Sequence, residues 1–281
     1  MHLLRYGIAP SLFTGLLAAS CVCNADPVTE RGLQHAAQGH ATAERAITTV
    51  SKLVADSAPN LIPAWSQAVY SSVEQVPVYL VEGRPGTIVT PAAVPSGCRC
   101  VFVSPSVLEE WIRRNSTGPG RMALDAGQFL VFILLHEVGH LRKGTPGAVF
   151  RDGAMSQLNV EPSRAKVAEE ESDDFAADLL KTRANQKPAG DVSLAANWVV
   201  IELSKLSWNM QAFRTLDEFG AFAVGKPSVY FDDGYSHPNL AWRILRVADR
   251  IQGSDATRYM LETFEEARRR GSDPQPLYQR K

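Results

Sequence analysis

The sequence predicts an α+β fold in which a small sheet packs on one buried helix and the remainder is mostly helical. Three observations predict it. Short β-branched and apolar runs, bounded by turn residues, cluster between positions 76 and 104. Beyond 104 the apolar residues recur at helical spacing, with capping residues ahead of them. Strands therefore come first and helices afterwards, the order expected of α+β rather than of alternating parallel units.

The N-terminus stands apart. His2 and Arg5 precede an uncharged stretch from Tyr6 to Ala25 whose apolar centre is Leu12 to Ala19. Pro10, Gly15 and Ser20 interrupt it, and it is too short for a membrane span, so residues 1–25 read as a secretory signal peptide. Cys23-Asn24-Ala25 suits cleavage before Asp26. Leu17 to Cys21 is a looser match to a lipobox, which would leave Cys21 lipidated and make the membrane a partner. The chain is accordingly expected to be exported, periplasmic or secreted.

Residues 26–75 read as an N-terminal helical segment. Thr29 to Ala58 is rich in Ala, Glu, Gln and Arg and predicts one long helix, with a second short one after Pro63. Val76 to Val81 reads as a strand, Gly83 to Gly86 as a turn, Thr87 to Thr90 as another strand, and Cys100 to Ser104 as a third. Ser104 or Ser106 can cap a helix reaching Asn115, and a loop follows from Ser116 to Gly120. A helix from near Met122 should stop at Gly144. Positions 144–163 read as loop, Arg164 to Ala184 and Leu194 to Asp217 as helices, and Gly225 to Ser236 as a loop. Asn239 to Ile251 and Asp255 to Arg270 read as two last helices, and residues 272–281 as a frayed tail. Positions 76–271 are thus expected to form the functional domain.

Composition excludes some functions. The chain of 281 residues is 45% hydrophobic and 21% charged, with a net charge of −1 and no repeat. That is ordinary globular composition, and it carries no basic footprint for nucleic acid. Cys98 and Cys100 lack the second pair that a structural zinc site needs. A bond between them lies near the limit of disulfide reach in an extended chain. Two small side chains on one strand face is an equal reading.

The stretch Leu134-Leu135-His136-Glu137-Val138-Gly139-His140 carries the chemistry. On a helix His136 and His140 share one face and can aim at one metal ion. Glu137 points beside that ion, where it can take a proton from water. The apolar run Phe129 to Leu135 argues that the helix is buried, so its histidines and carboxylate need a compensating partner.

A catalytic zinc site usually takes three protein ligands. Besides this pair the exported chain offers His35, His40 and His237, and an acidic helix from Glu169 to Asp178. Glu169 and Asp173 are four apart and share a face. Glu169 could bind metal while Asp173 holds the far nitrogen of a ligand histidine. Glu170 with Asp174, or Glu171 alone, are competing registers.

H-E-V-G-H at 136–140, E-x-E-S-D at 169–173, and Ser236-His237-Pro238 followed by Arg243-Ile244 together resemble the gluzincin metallopeptidases, most closely the M48 peptidase family. The likeness spans about residues 130 to 250 and does not include the N-terminal part. Ser172 departs from the small Ala usual before the aspartate, and the hydrophobic spans of the integral-membrane members are missing, as in soluble, exported members. The resemblance implies a zincin-like domain and one Zn2+ per chain held by His136, His140 and Glu169. It makes Glu137 the general base, with Asp173 the helix partner of Glu169. His237 would lie near the site as an oxyanion donor, with Tyr230 and Tyr235 as alternatives and Arg243 in the same segment. The implied activity is zinc-dependent endopeptidase hydrolysis of unfolded or misfolded protein. A catalytically inactive zinc-binding scaffold or chaperone-like envelope protein is the alternative. Substrate backbone is expected to pair with an exposed strand edge near Val101 to Ser104.

Overall fold

A computed structural model describes residues 26–65, 75–144, 147–156, 161–187, 190–210, 215–225 and 237–271. The expected signal peptide with Cys21, the loop carrying Tyr230 and Tyr235, and the tail 272–281 lie outside those residues. The chain is a mixed, mostly helical α/β structure with one small mixed sheet. Among the described residues no helix is long and apolar enough to cross a membrane.

The expected helix from Thr29 to Ala58 is only half right. A 3-10 turn covers Thr29–Arg31, a short strand β1 covers Gln34–His35, and helix α1 covers His40–Val54. Gly32 and Gly39 adopt φ of 70° and 84°, which break helical continuity on both sides of β1. The segment after Pro63 begins as strand β2 (Pro63–Trp65) rather than helix, and positions 66–74 lie outside the described residues. So 26–65 is not simply a helical segment.

Strand β3 (Val76–Glu82) occupies the expected place. Residues Thr87 to Thr90 form no strand; the extended pair is β4 (Ala92–Ala93), just after Pro91, and β5 (Val101–Val103) follows. β3 is central. It pairs parallel with β2 through Val76 to Val78, antiparallel with β1 through Val81 and Glu82, and parallel with β5 through Val78 to Leu80. β4 closes the order, antiparallel to β5. All three β5 residues are buried between β3 and β4, so the expected free edge at Val101 to Ser104 does not exist. Cys98 and Cys100, at the entry to β5, are joined by a disulfide.

Helix α2 covers Pro105–Ser116 and α3 covers Ala126–Lys143. α3 starts four residues later than the apolar pattern suggests, because Asp125 is its cap: the side chain accepts the Gln128 N–H at 2.8 Å. Gly144 ends it at φ 63°. A hairpin of β6 (Val149–Arg151) and β7 (Ala154–Ser156) interrupts what reads as loop, turning at Asp152 and Gly153, both with positive φ. Helices α4 (Pro162–Ala184), α5 (Asp191–Met210), α6 (Leu216–Gly225), α7 (Leu240–Gln252) and α8 (Asp255–Gly271) complete the described chain.

One apolar core runs from α1 and the sheet through α3 to α4, α5 and α7. Its centre is Leu130, Leu134, Leu135 and Val138 of α3, all nearly inaccessible. α3 and α4 approach each other closely at Gly139. A Cβ there would lie 2.8 Å from the Ser172 Cα, so only glycine fits without moving backbone. That contact brings the histidines of α3 level with the acids of α4.

Candidate metal centre

His136 and His140 stand one helical turn apart on α3 with their ring planes at 89° and Nε2 atoms 3.0 Å apart. Glu169 of α4 lies across from them. One carboxylate oxygen is 3.3 Å from the His136 Nε2 and the other 3.3 Å from the His140 Nε2. These three side chains form a buried or half-buried group that could hold a metal ion. The spacing has a physical reading. Four ligands placed tetrahedrally at ~2.0–2.1 Å from a small cation are about 3.3 Å from each other. The two histidine nitrogens, 3.0 Å apart, fall near that spacing, and the carboxylate meets each with a different oxygen, Oε2 toward His136 and Oε1 toward His140.

The acids behind the triangle set the imidazole orientation. His136 Nδ1 faces the Asp173 Oδ1 at 2.9 Å, which turns Nε2 toward Glu169 and His140. Asp173 is buried and is gripped by Arg243 of α7. The guanidinium donates from Nε at 2.7 Å to Oδ2 and from Nη2 at 2.9 Å to Oδ1. Arg243 Nη1 also reaches Glu169 Oε2 at 3.0 Å. One guanidinium therefore ties both acids of α4 together, and its fixed fork suits the task.

Charge follows from this packing. Burial alone would lower the His136 pKa, but Asp173 and Glu169 outweigh it and raise it to about 10. Burial would raise Glu169, but His136, His140 and Arg243 hold it well below the usual carboxylate range. Asp173 meets the same opposition, and Arg243 with His136 brings it down to about 2. Arg243 is held above its ordinary value, the two acids overcoming the cost of burial. A cation entering the triangle must displace the His136 proton, so occupancy rises with pH.

Glu137 is buried beside the triangle rather than part of it. Its Oε2 accepts the Val94 N–H at 2.9 Å, just beyond β4. The Val94 carbonyl in turn accepts the Ala148 N–H at 2.7 Å. Sequence reading gives no signal for this anchor, because a backbone donor has no side-chain signature.

His237 precedes α7 with its Nε2 3.5 Å from the Glu169 Oε1, and nearly half its side chain is exposed. Local desolvation lowers its pKa, opposed by Glu169. It thus stands at the solvent side of the triangle. The cap of α7 is Asn239, whose side chain accepts the Trp242 N–H. The competing acids are elsewhere: Glu171 pairs with Lys143 at 3.2 Å, and Asp174 pairs with Arg246 at 2.6 Å. The Glu170 backbone carbonyl accepts from Arg246 Nη1 at 3.4 Å. His35 bonds to Asp26 and His40 packs on Trp65, so neither joins the cluster. Arg243, read only as part of the His-Pro segment, is the functional residue whose role sequence reasoning missed.

Compared with family models, with curated proteins and with solved structures, the chain finds no match.

Proposed function

We propose that this protein is a zinc-dependent endopeptidase of the cell envelope or secreted space, with a zincin-like domain acting on unfolded protein. The observation that carries the reading is the cluster of His136, His140 and Glu169, close enough to share one metal ion, with the buried carboxylate of Glu137 next to His136 on α3. Two neutral imidazole nitrogens and one carboxylate are a catalytic zinc donor set that leaves a position for water or substrate. When bound, zinc supplies Lewis acidity that polarises a peptide carbonyl and acidifies water.

The chain's own residues do the rest. Glu137, oriented by the Val94 amide, accepts the proton of the attacking water and passes it to the leaving amine as the C–N bond breaks. Asp173 accepts the His136 Nδ1–H, which keeps the Nε2 lone pair directed inward, and Arg243 keeps Asp173 ionised. His237, at the exposed side, is placed to donate to the oxyanion. The expected strand pairing of substrate moves to β4, the edge strand beside β5 in the described sheet.

The test is cleavage of an unfolded generic protein by the mature chain, with and without a zinc chelator, beside Glu137→Gln. Turnover lost in both controls supports the proposal. Zinc retained without any turnover would overturn it in favour of the scaffold reading.

A further inference from the structure

The edge begun by β4 continues past Ala93. On the inner side the Pro91 carbonyl accepts the Ser104 N–H at 2.9 Å, beside β5. Backbone groups alternate sides along an extended strand, so Val94 and Ser96 direct theirs outward. The chain itself occupies those outward groups. The Val94 N–H goes to Glu137 at 2.9 Å. The Val94 carbonyl accepts the Ala148 N–H at 2.7 Å, and the Ser96 N–H donates to the Ala148 carbonyl at 2.8 Å. Ala148 thus bonds both neighbours of Pro95, the residue opposite it, which is the parallel ladder pattern.

The fit is close. A Cβ on Gly147 would lie 2.3 Å from the Val94 carbonyl oxygen and 2.8 Å from backbone atoms of Pro95 and Ser96, so glycine is required. Downstream, the β6–β7 hairpin is anchored away from the metal centre. The Gly153 N–H donates to the Arg31 carbonyl and the Met155 N–H to the Thr87 carbonyl, each at 2.9 Å. Segment 147–149 therefore lies as a strap between the end of α3 and an anchored hairpin. Val94 and Pro95 beneath it are buried, whereas Gly147, Ala148 and Val149 are only half-buried. Lifting the strap would expose little of the core.

We propose that segment 147–149 is an autoinhibitory strap, filling the edge on which an extended, unfolded polypeptide pairs, and that substrate enters by displacing it. This rests on the peptidase reading for what the edge serves. An open strand edge binds extended chains through its N–H and C=O groups, whatever their side chains. The strap and the substrate thus compete for the same two groups, the Val94 carbonyl and the Ser96 N–H. Val94 is also the residue whose N–H orients Glu137, so the contested edge adjoins the general base.

Hydrogen exchange of the full-length Glu137→Gln chain, with and without β-casein as an unfolded probe, tests it. Displacement should speed exchange of the Ala148 amide, which loses its acceptor, and slow that of Ser96, which gains a substrate carbonyl. Ligand binding elsewhere would not produce these opposite signs. In the otherwise wild-type chain, Ala148→Pro removes the donor and Gly147→Ala pushes the strap off its edge. Either should raise kcat/KM for β-casein about five-fold, the factor of one net hydrogen bond, with wild-type melting as the control for folding. An Ala148 amide that β-casein leaves unmoved overturns the strap, whatever the release variants do. If wild-type turnover accompanies that result, the peptidase reading stands without the strap. If the Ala148 amide responds but no variant cleaves, the strap stands as the cover of a peptide-binding edge and the peptidase reading falls.

Discussion

The interface between α4 and α7 carries the same chemistry twice, in different surroundings. At its inner end Glu169 and Asp173 meet Arg243; further out Asp174 and Asp178 meet Arg246 and Arg250. Both runs are acids on one helix against arginines on the next. The inner acids are desolvated and touch imidazoles, and Asp173 sits at about 2. The outer pair of Asp178 and Arg250 is largely in water, where an ion pair contributes about 0–1 kcal/mol. Residue type and helical spacing are shared, so they do not distinguish a site from a solvated face. Burial and the neighbouring imidazoles do.

The largest contrast should appear in metal retention. Glu169→Gln or His140→Ala should cut zinc affinity by at least ~100-fold, beyond the ~10–100-fold loss typical of groups that only support a ligand. Asp178→Asn should leave affinity unchanged. Competition with a chromophoric chelator measures both, and equal losses would erase the distinction.

Stability should split the same way. Arg243→Leu leaves Asp173 buried beside no guanidinium and should cost about 3–5 kcal/mol in urea unfolding. Arg250→Leu, removing an exposed partner, should cost under about 1 kcal/mol.

Acid sensitivity sharpens the comparison. Asp173 falls from the ordinary 3.8 to about 2 in the folded chain. Between those values the unfolded chain binds more protons, so the contribution is complete above 3.8 and fades as pH falls toward 2. It amounts to roughly 2 kcal/mol. Asp173→Asn should flatten this window in melts taken across it. Asp178→Asn should follow the wild type, since its lowering by the Arg250 hydrogen bond is solvent-screened.

Gly139 positions the inner end, and Gly139→Ala should cost about 1–3 kcal/mol as α3 is pushed from Ser172. Thermal melts check it, and a neutral result would mean the helices separate freely.

Much of the inner site is legible in the sequence. His136 and His140 follow from the period of a helix, and Glu169 with Asp173 from the same period on the next acidic helix. Arg243 stands 70 positions beyond Asp173, and only packing of α7 on α4 joins them. Val94 acts through its backbone, which periodicity does not register. The long N-terminal helix failed because Gly32 and Gly39 outweigh the helix-forming residues around them. The β6–β7 hairpin was readable: Asp152-Gly153 between Val149-Phe150 and Ala154-Met155 is a two-residue hairpin signal.

Zinc content and zinc-edge X-ray absorption of the purified mature chain test the metal centre most directly, beside Glu169→Gln. The account predicts one zinc per chain, coordinated by two imidazoles and a carboxylate oxygen, with occupancy lost in the variant. A chain that takes up no zinc, or one whose zinc environment is unchanged by Glu169→Gln, would contradict it.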